Sequence, residues 1–330
     1  MKPKALYILN TDACNKIYGP EERAEIDTLV DVYAPPQTGQ SISENPDLLK
    51  DTELILSGWG CPKIDGKFLD DAPNLKAIFY GAGSIRGFST DDMWDRGIIV
   101  TSSYAANAVP VAEYCVAAVI FSLKLGWRHL IDTKQAQKRK KYPVPGAYGT
   151  TVGLISLGMI GRMTLDRLRA YDLNLAVYST SLTPKKAEAM CVKPCSLDEI
   201  FSISDVVSLH TPNIPETRGM IKGAHFEQMK PDATFINTAR GAIVNESEMV
   251  ETLQKRPDIT AVLDVTFPEP PVEGSPLYTL PNVILTPHIA GSMDNECRRM
   301  GRYALEQLKS YLKGEPMEWQ ITREMAAKLA

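Results

Sequence analysis

Residues Val152 to Gly161 read "VGLISLGMIG", an apolar run followed by small residues at the spacing Ser156-x-Gly158-x-x-Gly161. A strand that turns into a helix through such a loop can cradle a phosphate group. The first small residue makes the tight turn, the second lets backbone approach the anion, and the third lets helix and strand pack closely. The helix that follows offers free N–H groups and the positive end of its dipole. In the dinucleotide-binding fingerprint all three positions are glycine. Here Ser156 takes the first, and its small side chain can make the turn if its φ stays negative. Gly158 and Gly161, with Met159 and Ile160 between them, keep the rest of the loop.

A second test lies about 20 residues on, where an NAD site usually carries Asp or Glu for the ribose hydroxyls. This chain has "VYSTSLTPKK" there. Ser179 stands where the acid would be, followed by Thr180, Ser181, Lys185 and Lys186. No carboxylate is present to repel a 2′-phosphate, and hydroxyls and cations are available to hold one. The cofactor reading is therefore NAD or NADP, tilted toward NADP; the alternative is that the lysines only solvate a loop. The six cysteines (Cys14, Cys61, Cys115, Cys191, Cys195 and Cys297) form no C-x-x-C pair, and no histidine stands near Cys191 and Cys195. Free, mostly buried thiols in a reducing compartment are expected, with no metal site. His129, His210 and His225 receive no chemistry. His210 closes a strand and is expected to be a satisfied structural side chain.

These residues need a scaffold, and 330 residues suggest about two domains. With 44% apolar and 23% charged residues the composition is that of an ordinary soluble protein. A net charge of −4 argues against a general nucleic-acid binder. The basic run "KRKKY" from Lys138 to Tyr142 reads as a solvated helix end. The start of the chain, "MKPKALYILN", has too short an apolar run for a signal peptide. No apolar stretch is read as reaching the roughly 18–20 residues of a membrane span. A cytoplasmic protein is expected.

Short apolar runs alternate with helical patterns. "ALYIL", "LILS", "KAIFY" and "IIVTS" form a first series; "VGLIS", "NLAVYS", "DVVSLH", "ATFINT", "TAVLDV" and "NVILTPH" form a second. Runs that are apolar throughout belong to strands buried on both faces, hence to parallel sheets covered by helices. Between the two series lies a long helical candidate from Pro110 to Leu130, with Pro110 suited to its first turn, and then a polar linker. A last helix over 295–314 has Gly314 as its stop.

Four ordered phrases carry a more specific signal: "HTPNIPETRGMI", "FINTARGAIVNE", "LDVTFPEP" and "LPNVILTPHIAGS". Together with "GAGSIRGF" and "ANAVPVAEY" they resemble the D-isomer-specific 2-hydroxyacid dehydrogenases over residues 54–316. The resemblance implies Arg240, Glu269 and His288 as the catalytic set. Reduction of a 2-keto acid needs a proton on the carbonyl oxygen as hydride reaches carbon, and a histidine can supply it. Glu269, bonded to the imidazole, would fix the ring's orientation and favour its protonated form. Arg240 would bind the substrate carboxylate and polarise the carbonyl. On the cofactor side the resemblance implies Thr211 and Pro212, Thr238 and Ala239 of "TARG", Asp264 as holder of the nicotinamide carboxamide, and Ala290.

On the substrate side the resemblance implies Ala82, Gly83 and Ser84, whose backbone N–H groups would meet the carboxylate. Trp59 in "LSGWG" would be a pocket wall or a capping aromatic. The chain departs from the family after "GAG", where Ser84, Ile85 and Arg86 stand. Arg86 could face a second anionic group of the substrate; a surface arginine is the commoner case. The resemblance also implies two doubly wound α/β domains with a cleft between them. These are a flavodoxin-like substrate domain, 1–105 plus 293–330, and a Rossmann cofactor domain, 106–292, with crossovers near Ala105–Asn107 and Gly291–Met293. The long apolar helix is similar to the segment that makes family members homodimers. A small 2-keto or 2-hydroxy acid is the expected partner, with no nucleic acid and no membrane. The rival of another class is a dinucleotide-sensing corepressor of the same fold. Glu269 speaks against the formate dehydrogenase branch, which carries Gln beside its histidine.

Overall fold

The apolar runs become strands whose residues are mostly buried, completely so in the central strands Leu54–Ser57, Ala77–Tyr80, Val206–Leu209 and Thr234–Asn237. The computed structural model describes residues 1–328. In chain order the strands are β1 (Lys4–Ile8), β2 (Asp31–Val32), β3 (Leu54–Ser57), β4 (Ala77–Tyr80) and β5 (Ile99–Ser102). Then come β6 (Thr151–Ile155), β7 (Asn174–Tyr178), β8 (Lys193–Pro194), β9 (Val206–Leu209), β10 (Thr234–Asn237), β11 (Thr260–Leu263), β12 (Val283–Leu285) and β13 (Gln320–Ile321). The chain divides into two compact units, Met1–Asn107 with the chain from Ser292 onward, and Ala108–Gly291.

The sheet of the first unit has the order β13-β5-β4-β3-β1-β2. Its pairs are parallel except for β13, which runs antiparallel to β5 with Gln320 opposite Thr101. This edge strand, from the C-terminal segment, departs from the expected all-parallel sheet. The remaining order, 2-1-3-4-5 by position, is flavodoxin-like. Helix Cys297–Lys313 covers one face, burying Met300, Ala304, Leu305 and Leu308 against Ala5, Tyr7, Leu56 and Phe79. It stops at Gly314, as expected, which adopts the left-handed φ of 69° that a non-glycine C-terminal residue would resist.

The second unit holds a seven-stranded sheet, β12-β11-β10-β9-β6-β7-β8, with every pair parallel. The strand order reverses between β6 and β9. A ligand is expected at such a switch point, outside the carboxyl ends of the strands. One core lies around Phe201, Phe226 and Phe235, and the other around Leu154, Leu165 and Val177.

The long helix differs from its sequence reading. It runs Tyr104–Leu123, so Pro110 lies inside it rather than in its first turn. Pro110 gives no N–H to the ladder, but the small residues before it already hold helical turns. The helix does not continue to Leu130. Leu125 takes a left-handed φ of 46°, and a second helix, Gly126–Ala136, begins. The Phe121 ring occupies the place where a Cβ on Gly126 would sit, so the break is packed tightly. With 20 residues the first helix is also long and apolar enough to cross a membrane by length and composition. This corrects the expectation that no apolar stretch reaches the length of a membrane span. More than half of its most apolar stretch is buried in the fold.

The basic run lies past the second helix as exposed coil, with the Arg128 guanidinium 4.2 Å from the Tyr142 ring centroid. All six cysteines are free. Cys14, Cys115 and Cys297 are buried, but Cys191 is exposed and Cys61 and Cys195 are half-buried, so burial of the thiols is less general than expected.

Candidate active site

The glycine-rich loop follows β6 at the switch point of the second unit. Ser156 donates its N–H to the Tyr178 carbonyl at 2.7 Å, tying the loop to β7. Its φ is +80°, which corrects the expectation of a negative value. The reason lies five residues on: the Ser156 carbonyl occupies the space where Gly161 would carry a Cβ. The turn must be this sharp for helix Met159–Leu168 to start against the strand. Gly158 is the N-cap of that helix, makes no side-chain cap, and has open space beside its Cα. The first N–H groups of a ten-residue helix therefore face an uncrowded cradle.

At the end of β7, Ser179 Oγ and Ser181 Oγ lie 3.1 Å apart, and Lys186 Nζ donates to the Ser181 carbonyl at 3.4 Å. Thr183 caps the short helix Pro184–Ala189 that presents Lys185 and Lys186; Lys185 and Thr180 are exposed. At the end of β9, His210 Nε2 pairs with Ser208 Oγ at 3.1 Å. Its Nδ1 is buried with no partner among the described residues, so His210 is only half satisfied, contrary to expectation. Burial pushes its imidazole down to about 4, which keeps the ring neutral. Thr211 beside it is buried, and the Pro212 carbonyl accepts from Thr217 Oγ1 at 2.6 Å. The open glycine cradle, the hydroxyls after β7 and the orphaned imidazole nitrogen fit a dinucleotide.

Arg240, Glu269 and His288 all belong to the second unit. Arg240 follows β10, where Asn237 organises the turn: its Oδ1 accepts the Ala239 N–H at 3.0 Å and its Nδ2 donates to the Arg240 carbonyl at 3.2 Å. The guanidinium is half-buried, with Nη1 on the Ala239 carbonyl at 2.6 Å. Gly241 next to it lies against the backbone of Thr266 and Phe267, and a Cβ there would overlap the Thr266 carbonyl carbon. The glycine thus lets the arginine turn pack under the loop that carries Glu269. Glu246 accepts the Phe267 N–H at 3.0 Å, and Thr266 Oγ1 donates to the Pro268 carbonyl at 2.8 Å. Burial pushes the Glu246 carboxyl up. Glu269 Oε1 then meets His288 Nδ1 at 2.6 Å, with both side chains part-exposed. A carboxylate only accepts, so Nδ1 carries the proton of this bond and Nε2 is left for a reactant.

Asp264, 2% exposed, ends β11. Its Oδ1 accepts the Ile289 N–H at 2.8 Å and Thr286 Oγ1 at 2.6 Å, and its Oδ2 accepts the Ala290 N–H at 2.9 Å. Thr238 is buried, with Oγ1 3.2 Å from Cys115 Sγ. Burial pushes the Cys115 thiol up to about 11, so it stays protonated.

Residues 121–290 match the family model "D-isomer specific 2-hydroxyacid dehydrogenase, NAD binding domain". The glyoxylate reductase of Thermofilum pendens is 32% identical over 272 residues, which are 80% of this chain and 79% of that protein. The chain belongs to the D-isomer-specific 2-hydroxyacid dehydrogenase family. The D-3-phosphoglycerate dehydrogenase of Archaeoglobus fulgidus is 31% identical over 256 residues, 77% of this chain and 49% of that protein. The chain spans about half the length of the phosphoglycerate dehydrogenases it matches. The solved D-isomer specific 2-hydroxyacid dehydrogenase of Lactobacillus delbrueckii, in its NAD complexed form, superposes with a TM-score of 0.80 at 22% identity, over 97% of this chain and all (100%) of that one. That likeness is one of fold.

The residues expected on the substrate side belong to the first unit. Trp59 lies two residues past β3, part-exposed, and its carbonyl accepts the Asn10 N–H at 2.9 Å. Past β4, the Ser102 hydroxyl lies 3.0 Å from the Ala82 carbonyl and 2.6 Å from that of Gly83. Ser102 thereby fixes the loop that continues into Ser84. Arg86 is exposed, and its Nη2 donates to the Ala327 carbonyl at 3.2 Å. It ties its loop to helix Arg323–Lys328, which Arg323 fastens further to Asp95 at 2.8 Å.

Glu246, Ser102, Tyr114 and Thr286 were overlooked in the sequence, although three of them stand inside the family phrases. Their work is done through hydrogen bonds between segments far apart in the chain. The only signal was a polar residue inside an otherwise apolar or glycine-rich phrase.

Proposed function

We propose that this chain is an NAD(P)-dependent 2-keto acid reductase, working reversibly as a D-2-hydroxyacid dehydrogenase, with His288 as its acid and base. The observation that carries the reading is the 2.6 Å bond from His288 Nδ1 to Glu269, which leaves Nε2 as a proton donor. A bound nicotinamide supplies the hydride to the carbonyl carbon or takes it back. His288 delivers its Nε2 proton to the carbonyl oxygen, and in the reverse direction removes it from the hydroxyl. Glu269 orients the ring and balances the charge it carries while protonated. Arg240 pairs its planar guanidinium with the substrate carboxylate and draws electron density from the carbonyl.

Gly158, Met159, Ile160 and Gly161 hold the pyrophosphate, aided by the helix dipole. Ser179, Thr180 and Lys185 receive the adenosine ribose with a preference for its 2′-phosphate; Thr211, Pro212, Thr238, Ala239, Asp264 and Ala290 complete the cofactor site. Trp59, Ala82, Gly83 and Ser84 belong to the substrate site. The substrate domain comprises 1–105 with 293–330, and the cofactor domain 106–292. The protein acts as a cytoplasmic homodimer; its free thiols suit a reducing compartment.

The test crosses NADH and NADPH with a panel of 2-keto acids including glyoxylate and hydroxypyruvate, for the native protein and for His288→Ala. Turnover is expected, and the variant should lose about 100- to 10,000-fold in kcat while its cofactor affinity is nearly unchanged. Cofactor binding without turnover on any keto acid would overturn the enzyme reading, and full activity in the variant would overturn the role of His288.

A further inference from the structure

His288 has a left-handed backbone, with φ at 56°. A histidine holds this conformation only where its surroundings over-determine it. The surroundings here are one carboxylate. Asp264 binds Thr286 Oγ1, the Ile289 N–H and the Ala290 N–H, so it grips the chain on both sides of His288. The His288 N–H itself is shared between the Asp264 and Thr286 carbonyls, each at 3.0 Å.

The proton inventory extends this grip outward. Thr286 Oγ1 donates to Asp264 Oδ1, whose oxygens also take the two backbone N–H groups. Thr286 then has no proton left for Tyr114, whose hydroxyl lies 3.2 Å away, so Tyr114 is the donor there. Burial, the largest influence on the Tyr114 hydroxyl, pushes it up, so the proton it donates stays in place near neutral pH. A one-way chain results, from Tyr114 on helix Tyr104–Leu123 through Thr286 into Asp264.

We propose that Tyr114 and Thr286 are positioning residues for His288. Their hydroxyls orient the Asp264 carboxylate, which locks the left-handed turn that aims the imidazole. The proposal rests on the reading of His288 as acid and base. Loss of the Thr286 hydroxyl would free one Asp264 oxygen to rotate and loosen the Ile289 bond on that oxygen. Loss of the Tyr114 hydroxyl would act in the same direction but more weakly, being one bond further out.

The test compares full-length Thr286→Val, Thr286→Ser and Tyr114→Phe with the native protein by kcat, KM, NADPH dissociation constant and amide hydrogen exchange at Ile289 and Ala290. Thr286→Val is expected to lower kcat about tenfold with KM for the keto acid within about threefold, to weaken NADPH binding because Asp264 belongs to the cofactor site, and to speed exchange at both amides. Thr286→Ser, which keeps the donor, should return these readouts to near native values. Tyr114→Phe should fall between. Native kcat and exchange in Thr286→Val would overturn the proposal, and so would a Thr286→Ser variant as impaired as Thr286→Val. The exchange readout needs no turnover. If His288→Ala proves active, the acid/base role falls, while the exchange data still decide whether the hydroxyl chain holds the turn.

Discussion

Ser156 carries a conformational cost that its place in the loop imposes. A left-handed φ of +80° costs a residue with a Cβ roughly 1–2 kcal/mol, and glycine far less. The conformation is permitted by Gly161, which leaves room for the Ser156 carbonyl. Ser156→Gly should therefore raise stability by up to about 1 kcal/mol, part of the relief being offset by glycine's greater freedom in the unfolded chain. Cofactor affinity should stay within about threefold, because the cradle is formed by backbone N–H groups further along. Denaturant midpoints and a cofactor titration check both; a lowered midpoint would mean that the serine side chain stabilises the turn. This shows what single residues disclosed in the sequence. The positions of the small residues were legible from the fingerprint spacing; packing demands smallness at Gly161, while Gly158 leaves open space at the start of the helix. The sign of a φ was not, because it is set by a contact five residues away. Arg240, Glu269 and His288 were legible only as members of ordered phrases. Arg86 was open between two readings, and its bond to the Ala327 carbonyl comes from a segment 241 residues further along.

At the level of elements, strands were the most legible feature, since segments such as "AIFY" and "VVSL", apolar but for Ser208, are buried at every position. The long helix was legible in existence but not in extent. Proline was read as a start, yet the helix begins six residues earlier, and its end depends on Phe121 packing over Gly126. The element with the clearest consequence is the turn from β7 into helix Pro184–Ala189. It gathers Ser179, Ser181 and Lys186, and no acid stands in the sequence from Ser179 to Ala187. An exposed lysine paired with a phosphate contributes on the order of 1 kcal/mol at most. The double change Lys185→Ala with Lys186→Ala should thus raise KM for NADPH about five- to tenfold and leave KM for NADH within about twofold. NADPH should be accepted at least as well as NADH by the native protein. Steady-state kinetics with both cofactors decide this, and strict selectivity for NADH would remove the argument from Ser179 and the lysines.

At the level of the whole molecule, the chain from Ala108 to Gly291 is one unbroken segment with its own cores and its own seven-stranded sheet. The first unit, by contrast, needs two distant stretches of chain, since helix Cys297–Lys313 covers a sheet built almost wholly from residues before 103. Loop-closure entropy therefore weighs on the first unit and not on the second. The second unit also bears exposed apolar side chains between the end of helix Tyr104–Leu123 and β6: Phe121 at 39%, Leu130 at 59% and Tyr148 at 88%. Contact between this segment and a second copy of itself would be the isologous contact of a two-fold dimer. Residues 104–291 expressed alone should accordingly fold, bind NADPH and elute as a dimer. Circular dichroism, cofactor titration and light scattering would follow the three properties. An unfolded fragment would show that the second unit depends on the first, and a folded monomer would show that segment 121–148 does not pair.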